Sequence, residues 1–254
     1  MLQRLYSAVE RRLLRQSYGY VRKACRDLDL ARDRVAAEES AVWLNLNAPM
    51  AASYRDRFEL LRRSLEAAEV CGLKCEFGVY RGDTINYLSS LRPNDTFHGF
   101  DSFEGLPENW RAGFGKDAFR QEQLPNIRPN VCLHRGLFCD SLPCFLKAHK
   151  ENASLLHIDC DLYSSAKVVF DLLGDRIVPG TVIQFDEFLN YPGWRFGERK
   201  AFSEFCKARD VKVEYLGYVV RDEQLALRIT AIGPKPIESR VLEAVPVLIE
   251  VGGE

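Results

Sequence analysis

The fold is decided by residues 74–84, KCEFGVYRGDT, which join a short apolar run to a glycine-containing turn and a helix start. We predict a strand over 74–79 and a helix over 83–91, with Gly78 and Gly82 in the turn between them. Glycine allows a backbone to turn sharply and to approach a ligand closely. A strand–turn–helix unit of this kind is typical of a cofactor site in a parallel sheet. On its own it is a weak signal, because glycines in such turns often have only a steric role.

Short apolar runs alternate with helical stretches along the chain after residue 74. We predict strands near 74–79, 96–100, 131–135, 154–159, 181–186, 211–217 and 224–230, and helices over 83–91, 141–150, 164–174 and 197–209. This alternation predicts an α/β fold with a doubly wound, Rossmann-like sheet. Only residues 218–223 separate the last two strands, so we expect these strands to pair antiparallel.

Residues 1–70 show helical patterns. Apolar residues recur at helical spacing in 2–13 and again in 57–70, whereas 45–56 resemble a flexible join. We therefore predict a helical extension or lid over 1–70, a cofactor-binding domain over 71–232 and a C-terminal arm over 233–254. The Arg-rich first helix would suit a membrane surface, but packing on its own domain or on a partner subunit is the more frequent arrangement.

The composition indicates a soluble protein that binds small molecules. The 254 residues include 35 basic and 36 acidic side chains, so no charge excess calls for nucleic acid or an anionic membrane. No run reaches membrane-spanning length, and the N-terminus lacks the apolar stretch of a secretory signal. The eight cysteines lie in apolar contexts without paired CxxC motifs. They predict buried, reduced thiols and a cytoplasmic location.

The second predicted strand ends in Asp101, about twenty residues after the glycine turn. A carboxylate at this place accepts hydrogen bonds from ribose hydroxyls, which both NAD and S-adenosylmethionine (SAM) carry. A dinucleotide site normally has GxGxxG for its pyrophosphate, whereas this turn has Glu76 with only Gly78 and Gly82. The turn therefore favours the methyl donor. An NAD(P)-dependent oxidoreductase and a non-catalytic cofactor-binding subunit are the alternatives.

Four carboxylates follow two neighbouring strands: Asp159 and Asp161 after the fourth, and Asp186 and Glu187 after the fifth. Anions that converge on one crevice raise one another's pKa unless a cation joins them. Oxygen donors favour magnesium, manganese or calcium. A single acid more often has an ordinary role, such as capping of the next helix by Asp161, but the set of four favours a metal site.

The histidines are assigned from their positions in the predicted strands. His157 lies two residues before Asp159 and shares its face of the strand, so it is a candidate base, metal ligand or packed residue, and packing is the most frequent of these roles. His98 and His134 lie inside predicted strands and are expected to be core histidines.

Five segments in this order and spacing resemble the macrocin O-methyltransferase family, the TylF-like enzymes that methylate sugar hydroxyls on antibiotics and related glycosides. The segments are EFGVYRG at 76–82, GFDSFEGLPE at 99–108, HRGLFCDSLP at 134–143, HIDCDLYSS at 157–165 and PGTVIQFDEF at 179–188. The resemblance extends over residues 54–230. It implies a SAM-dependent methyltransferase with a seven-stranded sheet, an antiparallel last strand, an N-terminal helical lid, a magnesium-type ion and a homodimeric or higher assembly.

The resemblance also implies roles for individual residues. The candidate cofactor contacts are Glu76, Gly78, Tyr80, Gly82, Thr84, Asp101, Ser102, Asp140, Ser141 and Asp159, with Asp140 and Ser141 near the adenine. The implied metal ligands are Asp159, Asp186 and Glu187. Asp161 matches a general base of some relatives, and His157 is a second candidate catalytic residue because other relatives use a histidine. Many relatives have a glycine where this chain has Cys160, and no segment identifies the hydroxyl-bearing acceptor.

Overall fold

The computed structural model describes residues 17–19 and 21–234 and forms three layers, with helices on both faces of one sheet. The strands are β1 (Ala52–Tyr54), β2 (Leu73–Phe77), β3 (Phe97–Asp101), β4 (Val131–Arg135), β5 (Ala153–Ile158), β6 (Val182–Phe185), β7 (Lys212–Val219) and β8 (Leu225–Ala231). The helices are α1 (Leu28–Asn47), α2 (Arg57–Ala67), α3 (Asp83–Leu91), α4 (Phe138–Ala148), α5 (Tyr163–Leu173) and α6 (Glu198–Ala208). Residues 174–176 add a 3₁₀ turn.

The sheet has the order β1-β7-β8-β6-β5-β2-β3-β4. Only β8 is antiparallel to its neighbours, β6 and β7. The central strands β5 and β6 are buried along their whole length, as expected for strands covered on both faces. The order reverses direction between β2 and β5, and this reversal creates the crevice in which ligands bind in doubly wound folds.

Two large apolar cores and a small third one, which contains Leu60 of α2, hold the helices against the sheet. The larger core contains buried residues of α4, α5 and α6, including Leu142, Phe170 and Phe202. The second large core joins α2 and α3 to the opposite face through residues such as Leu61 and Ile85. Amphipathic helices buried along one stripe therefore fix the positions of the strand ends.

Helix α1 is attached to the larger core by Trp43. The Trp43 ring lies 5.5 Å from that of Phe188 and 5.3 Å from that of Tyr215. The Ser40 hydroxyl accepts a hydrogen bond from the Asn190 amide at 2.8 Å. The helix thus contacts the segment that follows β6, next to the predicted acids.

All seven predicted strands are present, and the predicted helix over 83–91 has the same bounds as α3. The sheet has an eighth strand, β1, which pairs in parallel with β7. The prediction of a flexible join over 45–56 was therefore wrong: 45–47 end α1, and 52–54 form β1. The predicted helix over 2–13 and nearly all of the predicted C-terminal arm lie outside the described residues.

The cysteines are free, but most of them are not buried. Only Cys75 and Cys160 are buried, Cys206 is intermediate, and the other five are exposed. The prediction of buried thiols was thus wrong for most positions, because Cys132 lies in the edge strand β4, Cys139 and Cys144 lie at exposed positions of α4, and Cys25 and Cys71 lie outside the strands and helices given above. No helix within residues 17–19 and 21–234 combines the length and apolarity that crossing a bilayer requires.

Three of the four histidines form a cluster beside α4. His98 Nδ1 lies 3.1 Å from His134 Nε2, and the His149 ring lies 5.0 Å from the His98 ring. His98 is 7% exposed. Burial lowers the pKa of His98 to about 4, and the neighbouring imidazoles of His134 and His149 act in the same direction. His98 is therefore a core histidine, as predicted, and is neutral near pH 7.

The pH dependence of stability tests this histidine cluster. The unfolded chain takes up a proton on His98 near pH 6.5 and the folded chain only near 4, so stability should decrease as the pH falls through this window. In His98→Phe, the loss of unfolding free energy between pH 7.5 and 5 should be smaller by up to ~2 kcal/mol than in the wild type. Urea unfolding at both pH values measures it, and equal losses in the two proteins would contradict the assignment.

Candidate active site

A cavity of about 370 Å³ lies at the carboxyl ends of the central strands. Its walls come from the segments that follow β2, β3, β4, β5 and β6, and they include Gly78, Asp101, Gly136, Asp159 and Asp186. This is the point at which the strand order reverses, between β2 and β5. The predicted cofactor turn and the predicted acids therefore open into the same space.

Gly78 sits where the loops after β2 and β5 touch. Its φ is +94°, and an ideal Cβ at this position would lie only 1.7 Å from the carbonyl oxygen of Asp159. Any side chain would force these two loops apart. The glycine is thus needed for contact between two protein segments as well as for the turn. Gly82, at the start of α3, has a φ of +80° and does not line the cavity.

Asp101 organises the cofactor turn through main-chain amides. Its Oδ2 accepts hydrogen bonds from the amides of Val79 and Tyr80, each at 2.8 Å, and its Oδ1 accepts one from Phe103 at 2.7 Å. A carboxylate has further lone pairs, so these contacts leave capacity for ribose hydroxyls. Amide donors hold the carboxylate at a fixed place in the cavity wall.

Glu76 lies behind the cavity in a buried polar network. It accepts a hydrogen bond from the Thr84 hydroxyl at 3.0 Å, and its Oε2 lies 2.9 Å from His157 Nδ1. Glu76 and His157 are at most 1% exposed and do not line the cavity, whereas Thr84 does. Glu76 is therefore placed to orient Thr84 and His157.

Among the described residues, His157, Asp159 and Asp186 form a group that could hold a metal ion, with one ligand atom of each within 4.8 Å of the others. His157 Nε2 lies 3.8 Å from Asp186 Oδ1, which is beyond hydrogen-bond distance. Neither of these buried atoms has a hydrogen-bond partner among the described residues. Asp186 Oδ2 accepts a hydrogen bond from Gln224 at 3.2 Å and lies 3.6 Å from Arg57 Nη1. Glu187 lines the cavity but falls outside this group.

Burial and mutual repulsion perturb the charges at this site. Burial raises the pKa values of Asp159 and Glu187 well above the ordinary range, and nearby carboxylates raise them further. Burial also acts to raise the pKa of Asp186, but the adjacent His157 outweighs it, and the net shift is downward. For His157, burial lowers the pKa, yet Asp186 and Glu76 raise it well above the ordinary value. The cluster thus favours a positive charge at its centre.

Asp161 faces the cavity from a strained backbone. Its φ is +63°, and the Leu162 amide donates to the Cys160 carbonyl at 2.6 Å, which closes a three-residue turn around Asp161. The side chain of Asp161 does not cap α5, contrary to the alternative considered above. Burial raises its pKa to about 7, although Arg111 opposes this shift. A carboxyl group of this kind can exchange a proton near neutral pH.

A wall of aromatic and cationic side chains faces the acids. Arg111 stacks on the Trp110 ring at 3.9 Å and binds both carboxylate oxygens of Glu223 at 2.8 and 2.9 Å. Phe114 stacks on Phe119 with ring centroids 5.3 Å apart, and both line the cavity. This surface can pack against the apolar face of a bound small molecule.

The structure gathers most of the predicted site residues around the cavity. Those that line it are Gly78, Tyr80, Thr84, Asp101, Ser102, Asp159, Asp161, Asp186 and Glu187. Glu76, Gly82, His157, Asp140 and Ser141 do not line it, and the last two lie in the first turn of α4, next to the lining residues Gly136, Leu137 and Phe138.

Three residues of the site were not predicted from the sequence: Arg57, Arg111 and Glu198. The first two line the cavity, and Glu198 is buried against the loops that carry the acids. A basic side chain in a loop or at a helix start carries no pattern that distinguishes it from surface charges. Glu198 is equally hard to recognise from the sequence, since an acid in the first turn of a helix is common.

Residues 75–188 match a family model described as a methyltransferase domain. A comparison with curated proteins gives no match. Among solved structures, the calicheamicin methyltransferase CalS11 superposes with a TM-score of 0.54 at 21% identity, covering 68% of this chain and 77% of CalS11. The O-methyltransferase NovP gives a TM-score of 0.53 at 19% identity, covering 68% of this chain and 79% of NovP.

These similarities establish a shared fold. They confirm the predicted α/β methyltransferase sheet with its antiparallel C-terminal pair. The domain match over 75–188 supports the methyltransferase part of the predicted enzyme class.

Substitution of Asp101 tests the cofactor turn. In Asp101→Asn only one side-chain oxygen can accept, so the amides of Val79 and Tyr80 or that of Phe103 lose their partner. We expect the affinity for S-adenosylhomocysteine (SAH) to fall by roughly tenfold or more, since a lost charge-assisted contact is worth about 1.5–3 kcal/mol. Isothermal titration calorimetry measures it. Glu104→Gln, an exposed substitution in the same loop, is the control, and equal affinities in the two variants would refute the role of Asp101.

Proposed function

We propose that this protein is a TylF-like, SAM-dependent O-methyltransferase that methylates a hydroxyl of a sugar or of a glycosylated natural product. One observation carries the proposal: the carboxylates of Asp159, Asp161 and Asp186 open into the same cavity as the turn that Asp101 organises. A methyl donor on that turn and a hydroxyl beside the acids would meet within one enclosed space.

The donor side of the cavity suits SAM. The loop amides held by Asp101, the start of α3 and the Thr84 hydroxyl line one end of the cavity. When bound, SAM supplies an electrophilic methyl group on a sulfonium. Tyr80, Asp101 and Ser102 would hold its adenosine part, and Gly136 and Leu137 lie near the place expected for adenine. Asp140 and Ser141 would then act indirectly, through the first turn of α4.

Asp161 is the proposed general base. It lines the cavity, is 8% exposed and has a pKa of about 7. The Asp161 carboxylate would take up the hydroxyl proton of the acceptor as its oxygen bonds to the methyl carbon and the bond from that carbon to the sulfonium sulfur breaks, with the electron pair left on sulfur. His157 is not placed for this role, because it is 0% exposed and does not line the cavity.

Asp159 and Asp186 would hold a hard divalent cation. Their ligand atoms lie within one compact group, and the unpartnered Asp186 Oδ1 fits a ligand role. The cation would lower the pKa of a bound hydroxyl. Two residues are candidates for the third metal ligand: Glu187, which the family resemblance implies, and His157. For His157 the support is that Nδ1 faces Glu76 while Nε2 faces Asp186, an arrangement common in metal-bound histidines.

The acceptor would lie against the aromatic wall. Trp110 and Phe114 can pack against the apolar face of a sugar ring, while Arg57 and Arg111 offer donors to its oxygens. The proposed enzyme assembles as a homodimer or a higher homo-oligomer and lies in the cytoplasm. The cytoplasmic location is supported by eight free cysteines, which suit a reducing compartment.

The proposed transfer is tested with methyl-labelled SAM and a panel of hydroxyl-bearing glycosides. Asp161→Asn should lower kcat by about 10²–10⁴-fold, because the general base is lost. Wild-type kcat should fall as the pH drops below about 7, where the Asp161 carboxylate becomes protonated. SAH affinity, measured by calorimetry, should stay within threefold.

Asp117→Asn is the control for this experiment, since Asp117 is exposed, has a similar φ of +67° and lies outside the cavity wall. Full activity in Asp161→Asn would exclude the proposed base. Transfer to no glycoside, together with absence of SAH binding by the wild type, would exclude the proposed function.

The metal proposal is tested by binding of Mn²⁺, followed by electron paramagnetic resonance. Asp186→Asn should weaken Mn²⁺ binding by at least roughly tenfold, because mutations around a metal site typically cost 10–100-fold in affinity. SAH affinity should change little. Asp222→Asn, an exposed acid before β8, is the control. Comparison of His157→Gln with Glu187→Gln identifies the third ligand, and wild-type affinity in Asp186→Asn would rule out this site.

A further inference from the structure

Glu198 is a buried carboxylate that the mechanism above does not use. It is the first residue of α6, is 0% exposed and does not line the cavity. An acid at a helix start usually faces solvent and interacts with its own helix dipole. Glu198 instead points towards the loops that carry the proposed base and metal ligands.

The Glu198 side chain accepts hydrogen bonds from three main-chain amides of these two loops. Its Oε1 accepts from the amides of Cys160 at 2.8 Å and Asp161 at 3.1 Å, in the loop after β5. Its Oε2 accepts from the Glu187 amide at 3.4 Å, in the loop after β6. One carboxylate therefore bridges the two acidic loops and sets the distance between them.

The loop after β5 needs such support because its backbone is strained. Asp161 has a φ of +63°, which non-glycine residues adopt rarely, and it is the centre of a three-residue turn. Strained residues persist where the surrounding structure holds them in place. Glu198 accepts the amide of the strained residue itself and that of the residue before it.

The start of α6 is packed closely enough to fix the position of Glu198. An ideal Cβ at Gly197 would lie 2.8 Å from the Tyr191 hydroxyl oxygen and 3.4 Å from the Asp161 carbonyl oxygen. The helix start therefore lies against the same turn that Glu198 holds. Little freedom is left for the carboxylate to move away.

We infer that Glu198 is a positioning residue: by accepting main-chain amides from both acidic loops, it holds Asp161 and the metal ligands in their working geometry. The way in which Glu198 holds the loops follows from the observed contacts, whereas the effect on catalysis and metal binding rests on the proposed function. What matters is the reach of the side chain and its accepting oxygen. Removal or shortening of the side chain should disturb the loops without disturbing the cofactor turn.

Two variants distinguish the effect of side-chain length at position 198 from the effect of its charge. Glu198→Gln keeps the length and an oxygen that can accept the amides of Cys160 and Asp161, whereas Glu198→Asp keeps the charge but is one methylene shorter. Amide hydrogen exchange, followed by NMR, should increase at Cys160 and Asp161 by tenfold or more in Glu198→Asp and stay within threefold in Glu198→Gln. Unchanged exchange in Glu198→Asp, or equal increases in both variants, would overturn the inference.

Binding measurements on the same variants test the consequence. With SAH bound, Glu198→Asp and Glu198→Ala should weaken Mn²⁺ binding by tenfold or more. Glu198→Gln keeps an acceptor for the Cys160 and Asp161 amides and loses only the longer 3.4 Å contact with the Glu187 amide, so it should weaken Mn²⁺ binding less than Glu198→Asp does. SAH affinity should stay within threefold throughout. Glu204→Asp is the matched control, since Glu204 lies on the same helix and accepts a hydrogen bond from the Tyr163 hydroxyl, and neither of these residues lines the cavity.

The outcomes distinguish this inference from the proposed function. A wild type that binds neither SAH nor Mn²⁺ contradicts the proposed function, and the exchange rates then decide the positioning role alone. A wild type that binds both, with Glu198→Asp indistinguishable from it, contradicts the positioning role and leaves the function intact. If Glu198→Ala does not fold, the Gln and Asp variants decide the result.

Discussion

The contact between two strand-end loops at the centre of the sheet determines the geometry of the whole site. Gly78 lies so close to the Asp159 carbonyl that an ideal Cβ there would be 1.7 Å from its oxygen. The Gly78 amide also donates to the Phe100 carbonyl at 2.9 Å, which ties the same loop to β3. Because β2 lies between β3 and β5, this glycine brings Asp101 and Asp159 to one cavity. A larger residue would separate the cofactor turn from the acids.

The acids of the site fall into two groups according to their partners. Asp101 and Glu198 each accept three main-chain amides and hold loops in place. Asp159 and Glu187 have no comparable set of amide donors within the described part of the chain, and their pKa values lie well above the ordinary range. Burial raises the pKa of Glu198 to about 8 as well, but main-chain amides hold its oxygens in a fixed position. Asp159 and Glu187 lack such a set of donors, so their oxygens are the ones left for a cation or a proton.

The sequence allowed prediction of the features that follow from local patterns. The helix over 83–91 and the placement of Asp101, Asp159 and Asp186 at strand ends follow from apolar periodicity and glycine turns. The strand β1 was not predicted because three residues are too few to show the alternation of apolar and polar side chains. The role of Glu198 was not predicted because it depends on amides that are about 11 to 38 positions away in the sequence. These amides lie next to Glu198 only because α6 packs on the sheet.

The buried network beneath the cavity explains why the two candidate catalytic residues have different roles. Hydrogen bonds join Thr84 and His157 to Glu76, and His157 Nε2 faces Asp186 Oδ1 at 3.8 Å. The contacts with Glu76 hold Thr84 and the His157 ring in one orientation. His157 can thus orient or ligate, but it has no path to an acceptor hydroxyl. Asp161, on its strained turn at the cavity wall, has that path, so the proposed proton transfer and the proposed cation site would use different residues.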